Sequence, residues 1–185
     1  MGTARKLFRL FKSFNEYVKI QALRKGKLPD FEKNLQILAR LAFLFYWFFD
    51  NIAVLVKVKF LTRYDLKLMS RRASKCWLLG IWLSILVALI ELFKASNKET
   101  QLLRSKANGT KDTKQTTLDI ADALKTVRAG KKTQVLNIIK NLGDSITASQ
   151  ALGYPQRFFG FNFSDGWVGV GGFTSATLSC YQLYK

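Results

Sequence analysis

The run that most constrains this chain is Trp77–Phe93, WLLGIWLSILVALIELF, in which Glu91 is the only charge. Inside hydrocarbon a lone segment must satisfy every backbone N–H and C=O by itself, and a helix does so. The run therefore reads as a transmembrane helix, at the short end of the roughly 17–25 residues a span uses. Trp77 and Trp82 suit the interfacial belt, and Lys75 and Lys94 bracket the segment.

A second candidate span is Gly166–Tyr184, GWVGVGGFTSATLSCYQLY, which carries no charge and follows Asp165. Small residues recur in it every four positions. Gly171, Ser175 and Ser179 form one row; Gly172, Ala176 and Cys180 form the next. This small-xxx-small pattern lets transmembrane helices approach closely. In a soluble protein so glycine-rich a run would read as strand or loop.

Between residues 31 and 62 the sequence predicts a long helix centred on LAFLFYWFF, Leu41–Phe49. Asp50 and Asn51 interrupt the apolar stretch, and an ionised Asp near a span centre costs about 2.5–3.5 kcal/mol. The pattern favours a helix packed into the membrane over a clean span, with Arg40, Lys57 and Lys59 able to snorkel. A basic connector follows at 63–76, part of a stretch from Lys57 to Lys75 with seven cations against Asp65 alone. It reads either as a solvated face or as a juxtamembrane polybasic segment, worth about 1 kcal/mol per cation near an anionic surface.

Residues 1–27 sort cleanly if wound as a helix. Ala4, Leu7, Phe8, Phe11, Phe14, Val18 and Ala22 share one face, at spacings of three and four. Arg5, Lys6, Arg9, Lys12 and Lys19 lie elsewhere, and Glu16 is the lone acid. Such a helix either packs on the protein's own core or lies in a lipid interface, rings in the acyl boundary and cations among anionic headgroups. Gly26 and Pro29 mark its end, and Asp30 suits the N-cap of the next helix.

Residues 94–160 read as a basic loop with amphipathic helices. Asn97–Thr117 is polar, with Asn108-Gly109 as a turn signal. One helix is predicted from near Thr117, broken at Ala129-Gly130. Another begins near Thr133 with Val135, Ile138, Ile139, Leu142 and Ile146 as its apolar stripe.

The formal net charge of +18 calls for an anionic partner, nucleic acid or membrane. The aromatics sit inside apolar runs rather than on a soluble face, so membrane is favoured and no nucleic acid is expected. Histidine is absent, which removes Ser-His-Asp, Cys-His and His-metal chemistry. There is no P-loop, and Cys76 and Cys180 have no metal or disulfide-framework spacing. No cofactor, metal or catalytic residue is expected.

Four stretches in order resemble the peroxin-11 family of peroxisomal membrane proteins: ARKLFRLFK (Ala4–Lys12), FYWFFDN (Phe45–Asn51), IIKNLGDSI (Ile138–Ile146) and GFTSATLSCYQLY (Gly172–Tyr184). The resemblance departs at the start. Family members usually carry several dozen more residues before the amphipathic block, including another basic helix, so roles resting on that part are not carried over. The resemblance implies peroxisome division and proliferation, a peroxisomal membrane location with both termini cytosolic, and the organelle fission machinery as partner.

The expectation is thus an all-α, helical integral membrane protein. It has an N-terminal amphipathic helix, a membrane-embedded helix and two transmembrane helices, and it remodels membrane without catalysis. Arg5, Lys6, Arg9, Lys12 and Lys19 draw the helix to anionic lipids; Leu7, Phe8, Phe11, Phe14 and Val18 wedge into one leaflet. Gly171, Gly172, Ser175, Ala176 and Ser179 supply helix packing. The alternative is a metabolite channel formed by a homo-oligomer, with Asp50, Asn51 and Glu91 lining its pore.

Overall fold

The computed structural model describes residues 12–108 and 114–184, and no strand occurs among them. Among these residues six helices follow one another: α1 (Lys12–Lys25), α2 (Asp30–Lys57), α3 (Leu66–Asn108), α4 (Lys114–Leu152), α5 (Tyr154–Phe159) and α6 (Asp165–Leu183).

Local chemistry sets the boundaries. Gly26 ends α1, its N–H donating to the carbonyls of Ala22 and Leu23 at 3.2 Å each. Asp30 and Glu32 occupy the first turn of α2, against the positive end of its dipole. The sequence predicts that this helix continues to residue 62, but it stops at Lys57. Lys59 turns left-handed, with φ 61°. Its N–H bonds the Val56 carbonyl at 3.0 Å, and the Phe60 N–H bonds Leu55 at 2.9 Å. That is a Schellman cap, with lysine in the position glycine usually fills.

The basic stretch at 63–76 is helical from Leu66 on, with Asp65 at its start: its Oδ1 accepts from the Lys67 N–H at 2.8 Å. The supposed break at Ala129-Gly130 is absent, and α4 is continuous from Lys114 to Leu152. Glu99 of α3 explains the continuity, gripping Arg128 and Lys131 on either side of Gly130 at 2.7 Å each. One interior glycine costs a helix only about 1 kcal/mol, which this cross-helix clamp helps to offset.

Every extensive contact joins helices adjacent in the chain, α4 meeting α6 across the short α5. Paired residues show that the neighbours run antiparallel. Lys12 lies over Trp47 and Glu16 meets Arg40 between α1 and α2. Glu32 pairs with Lys94, and Tyr46 stacks on Trp77, between α2 and α3. Ile81 and Ile85 pack on Ala148 between α3 and α4. Many of the buried residues are small, including Ala39, Ala42, Ala73, Ala88 and Ala148, which lets the helices lie close.

Among the described residues two helices are long and apolar enough to cross a membrane: α2 and α3. Only 28% of the apolar window of each is buried within the protein, far less than a soluble core helix would hide. The Gly166–Tyr184 segment forms a helix of nearly the expected length, but its Gly, Ser and Thr content leaves α6 outside that pair. At about 1.5 Å per residue α3 is about 65 Å long, so its polar end projects well beyond an apolar layer of about 30 Å.

Candidate functional site

The first 11 residues lie outside the described region, and with them Arg5, Lys6, Leu7, Phe8, Arg9 and Phe11. The rest of the predicted wedge is α1. This helix packs on α2 through Ser13, Glu16, Ile20 and Leu23, a set at three- and four-residue spacing. The predicted apolar face is turned the other way: Phe14 is 68% exposed, with Tyr17 and Val18 beside it. Glu16, the only acid of residues 1–27, is buried. Its carboxylate takes Lys19 at 2.7 Å and Arg40 of α2 at 3.4 Å. The outer surface of α1 is therefore apolar and cationic with no acid on it. Lys19, predicted to meet lipid, is half engaged by Glu16, and Lys12 lies 4.8 Å from the Trp47 ring centre.

The apolar stripe predicted in α4 is split: Val135, Ile139 and Leu142 are exposed, while Ile138 and Ile146 are half-buried. The opposite stripe, Gln134, Asn137, Asn141 and Asp144, faces inward, with Asn141 buried. In water the apolar stripe turns in. Against lipid it turns out, and polar groups find partners in the bundle. The polar stripe was legible at positions 134, 137, 141 and 144; its direction was not.

On α6 the two small-residue rows part company. Gly171 and Ser175 are buried against α4, while Gly172 and Ala176 are exposed. At the crossing, a Cβ placed on Gly143 would stand 2.6 Å from the Gly171 carbonyl oxygen, and one on Gly171 2.8 Å from that of Gly143. Only two glycines allow the backbones this close. Next to them Ser175 hydrogen-bonds the Asp144 carboxylate. Further along, Gln182 donates to the Asn137 amide oxygen at 2.9 Å.

Between α1, α2, α3, α4 and α6 lies a cavity of about 520 Å3. Its charged lining is Glu16, Arg40, Glu91, Lys140 and Asp144, with Gln134, Asn137, Asn141 and Ser179 as neutral polar groups and Phe43 and Trp47 as aromatic wall. Glu91 borders this cavity; Asp50 is buried and Asn51 half-buried, and neither belongs to its lining. Arg40, Lys140 and Asp144 were not singled out from the sequence as cavity residues.

Beyond the apolar run of α3, Lys131 and Arg128 hold the Glu99 carboxyl below its ordinary range through their hydrogen bonds. Among the described residues no cluster of three or more His, Cys, Asp or Glu offers a metal site.

Comparison with known proteins agrees with this membrane architecture. A family model described as peroxisomal biogenesis factor 11 matches residues 1–184. A curated Dictyostelium discoideum protein, peroxisomal membrane protein 11 homolog, is 31% identical over 197 residues, covering 99% of this chain and 74% of its own length. No solved structure matches. With two helices fit to cross a bilayer and polar groups turned inward, the chain belongs to the peroxisomal biogenesis factor 11 family of peroxisomal membrane proteins.

Proposed function

We propose that this protein takes part in peroxisome proliferation by wedging its N-terminal helix into one leaflet of the peroxisomal membrane. The carrying observation is the outer surface of α1, with Phe14, Tyr17 and Val18 presented outward and the lone acid Glu16 buried. Cations of α1 and of the preceding residues draw the segment to anionic headgroups. Each exposed ring then adds apolar area to one leaflet only and favours curvature. The spans α2 and α3 hold the wedge at the surface, and the basic bend and first turns from Lys57 to Lys75 add attraction. In this reading the chain passes the membrane more than once, acts without catalysis, and hands elongated membrane to the organelle fission machinery.

The test is deformation of anionic vesicles by the reconstituted full chain. Phe14→Asp with Val18→Asp, or Arg5, Lys6, Arg9 and Lys12 all changed to Glu, should abolish tubulation while leaving insertion and helix content intact. Undiminished tubulation by either variant, or equal activity on neutral vesicles, overturns the wedge.

A further inference from the structure

The wedge uses α1 and leaves the far end of the α2–α3 hairpin unexplained. There α2 is out of step with its neighbours. Ala148 of α4 packs on Ile81 and Ile85, and α4 ends one turn further on at Leu152. α6 begins beside it, with the Phe163 N–H donating to Gln150 Oε1 at 3.1 Å. The apolar parts of α3, α4 and α6 therefore stop close to the level of Trp77, with Lys75 just beyond as the mark of a membrane face. The apolar run of α2 does not stop there. Tyr46 stacks on Trp77, so residues 48–56 continue past that level beside residues 67–75 of α3.

Drawing residues 48–56 into hydrocarbon would bring in Arg71, Arg72 and Lys75 with them, and hydrocarbon excludes cations. Arg72 lies over the Phe49 ring, 6.0 Å from its centre. The end of the hairpin thus stands outside the layer, and it stands stiffly: Ala53, Val54, Met69 and Ala73 are buried along it, and α3 is one unbroken helix. From Cys76 back to Leu66, α3 rises about 15 Å. The headgroup zone is only about 5–8 Å thick. The chain's own headgroups hold Arg71, Arg72 and Lys75, but the tip clears them by about one Debye length, roughly 8 Å at physiological salt, and feels them weakly.

The tip, residues 57–67, carries Lys57, Lys59, Arg63 and Lys67 against Asp65, whose carboxylate already accepts from the Lys67 N–H. All four cations are exposed, and none is paired with another described residue. Phe60 is 76% exposed and Tyr64 is exposed beside it. The left-handed turn at Lys59 and the Phe60 N–H bond to the Leu55 carbonyl fix the backbone that carries the ring outward. Rings set among cations match an acyl boundary beneath anionic headgroups. An acidic polymer would use the cations and leave Phe60 in water.

We propose that this tip docks on the anionic surface of a second bilayer, apposed to the one the chain spans. This goes beyond the wedge, which acts on the chain's own membrane and uses none of the tip residues.

The test reconstitutes the full chain in neutral phosphatidylcholine vesicles and mixes them with labelled, protein-free vesicles that contain phosphatidylserine. Captured label, read after flotation, should exceed that from protein-free phosphatidylcholine vesicles about tenfold, since each cation near an anionic surface contributes about fivefold. Phe60→Ser with Tyr64→Ser, or Lys57, Lys59, Arg63 and Lys67 all changed to Gln, should abolish capture with the circular dichroism spectrum unchanged. Arg5, Lys6, Arg9 and Lys12 all changed to Glu should leave capture intact, which separates this docking from the wedge. Absence of capture by the wild-type chain, or capture that survives both tip variants, overturns the proposal. Protein-bearing vesicles that cluster with one another alone identify a second copy as the occupant and overturn it too. An NBD label at Phe60→Cys, with Cys76→Ser and Cys180→Ser, tests the chain's own membrane. On anionic vesicles too dilute to meet, the label should stay in water; a blue shift there puts the tip in its own leaflet and overturns the second bilayer.

Discussion

Gly130 and Gly143 lie on the same helix, and alanine at each should move stability in opposite directions. Around a Cβ on Gly130 nothing lies within 4 Å, so alanine there adds only its better helix propensity, about 1 kcal/mol. At Gly143 the same methyl would stand 2.6 Å from the Gly171 carbonyl oxygen. The obstacle is backbone and has no rotamer to move to. Restoring ordinary contact requires α4 and α6 to separate by about 0.8 Å, in an interior packed densely enough to resist it. Overpacking of this kind costs about 1–3 kcal/mol, which cancels or exceeds the propensity gain of about 1 kcal/mol and leaves a net loss of up to about 2 kcal/mol. At roughly 2–4 °C per kcal/mol for a chain of this size, Gly130→Ala should raise the thermal midpoint by about 2–4 °C, while Gly143→Ala should lower it by up to about 8 °C. Differential scanning fluorimetry in one detergent, with both variants side by side, makes the comparison. Gly171→Ala combined with Gly143→Ala should be non-additive, since either opens the same contact. If Gly143→Ala stabilises as much as Gly130→Ala, the backbone-to-backbone crossing is wrong.

Two further outcomes follow from the caps and clamps. Lys59→Gly should stabilise by about 1 kcal/mol, because glycine takes the left-handed conformation without the Cβ penalty; an unchanged or lowered thermal midpoint would contradict the Schellman cap. Glu99 has a lowered pKa in the folded chain, so its clamp contributes above the ordinary Glu value of about 4.3 and is lost as pH falls through the lowered one. Wild type should therefore exceed Glu99→Gln in thermal midpoint at pH 6 to 7 and converge with it in acid; a constant gap would refute the clamp.

The helical character and the apolar runs were readable because period and length are local properties. Trp77–Phe93 needed no partner to declare itself, and the Phe14–Val18 face followed from spacing alone. What stayed hidden were properties that depend on surroundings. The rows beginning at Gly171 and Gly172 have the same spacing, and only Gly143 on a distant helix decides which is buried. Val135, Ile139 and Leu142 form a stripe that would be identical in a soluble protein; whether it faces in or out depends on whether water or lipid lies beyond. Gly130 looked like a break because the residue that spans it, Glu99, is 31 positions away. The cavity draws on five helices, so no window of sequence contains it.

The pairing of each helix with its chain neighbours also bears on how the molecule is made. Most tertiary contacts close over a single turn or hairpin, which keeps contact order low and loop-closure entropy small. The chain can therefore assemble as it is synthesised, each new helix docking on the one before it, without waiting for a distant partner. α6 follows α4 in the chain, and Ser179 with it, so the cavity gains that wall only after α1, α2, α3 and α4 have docked.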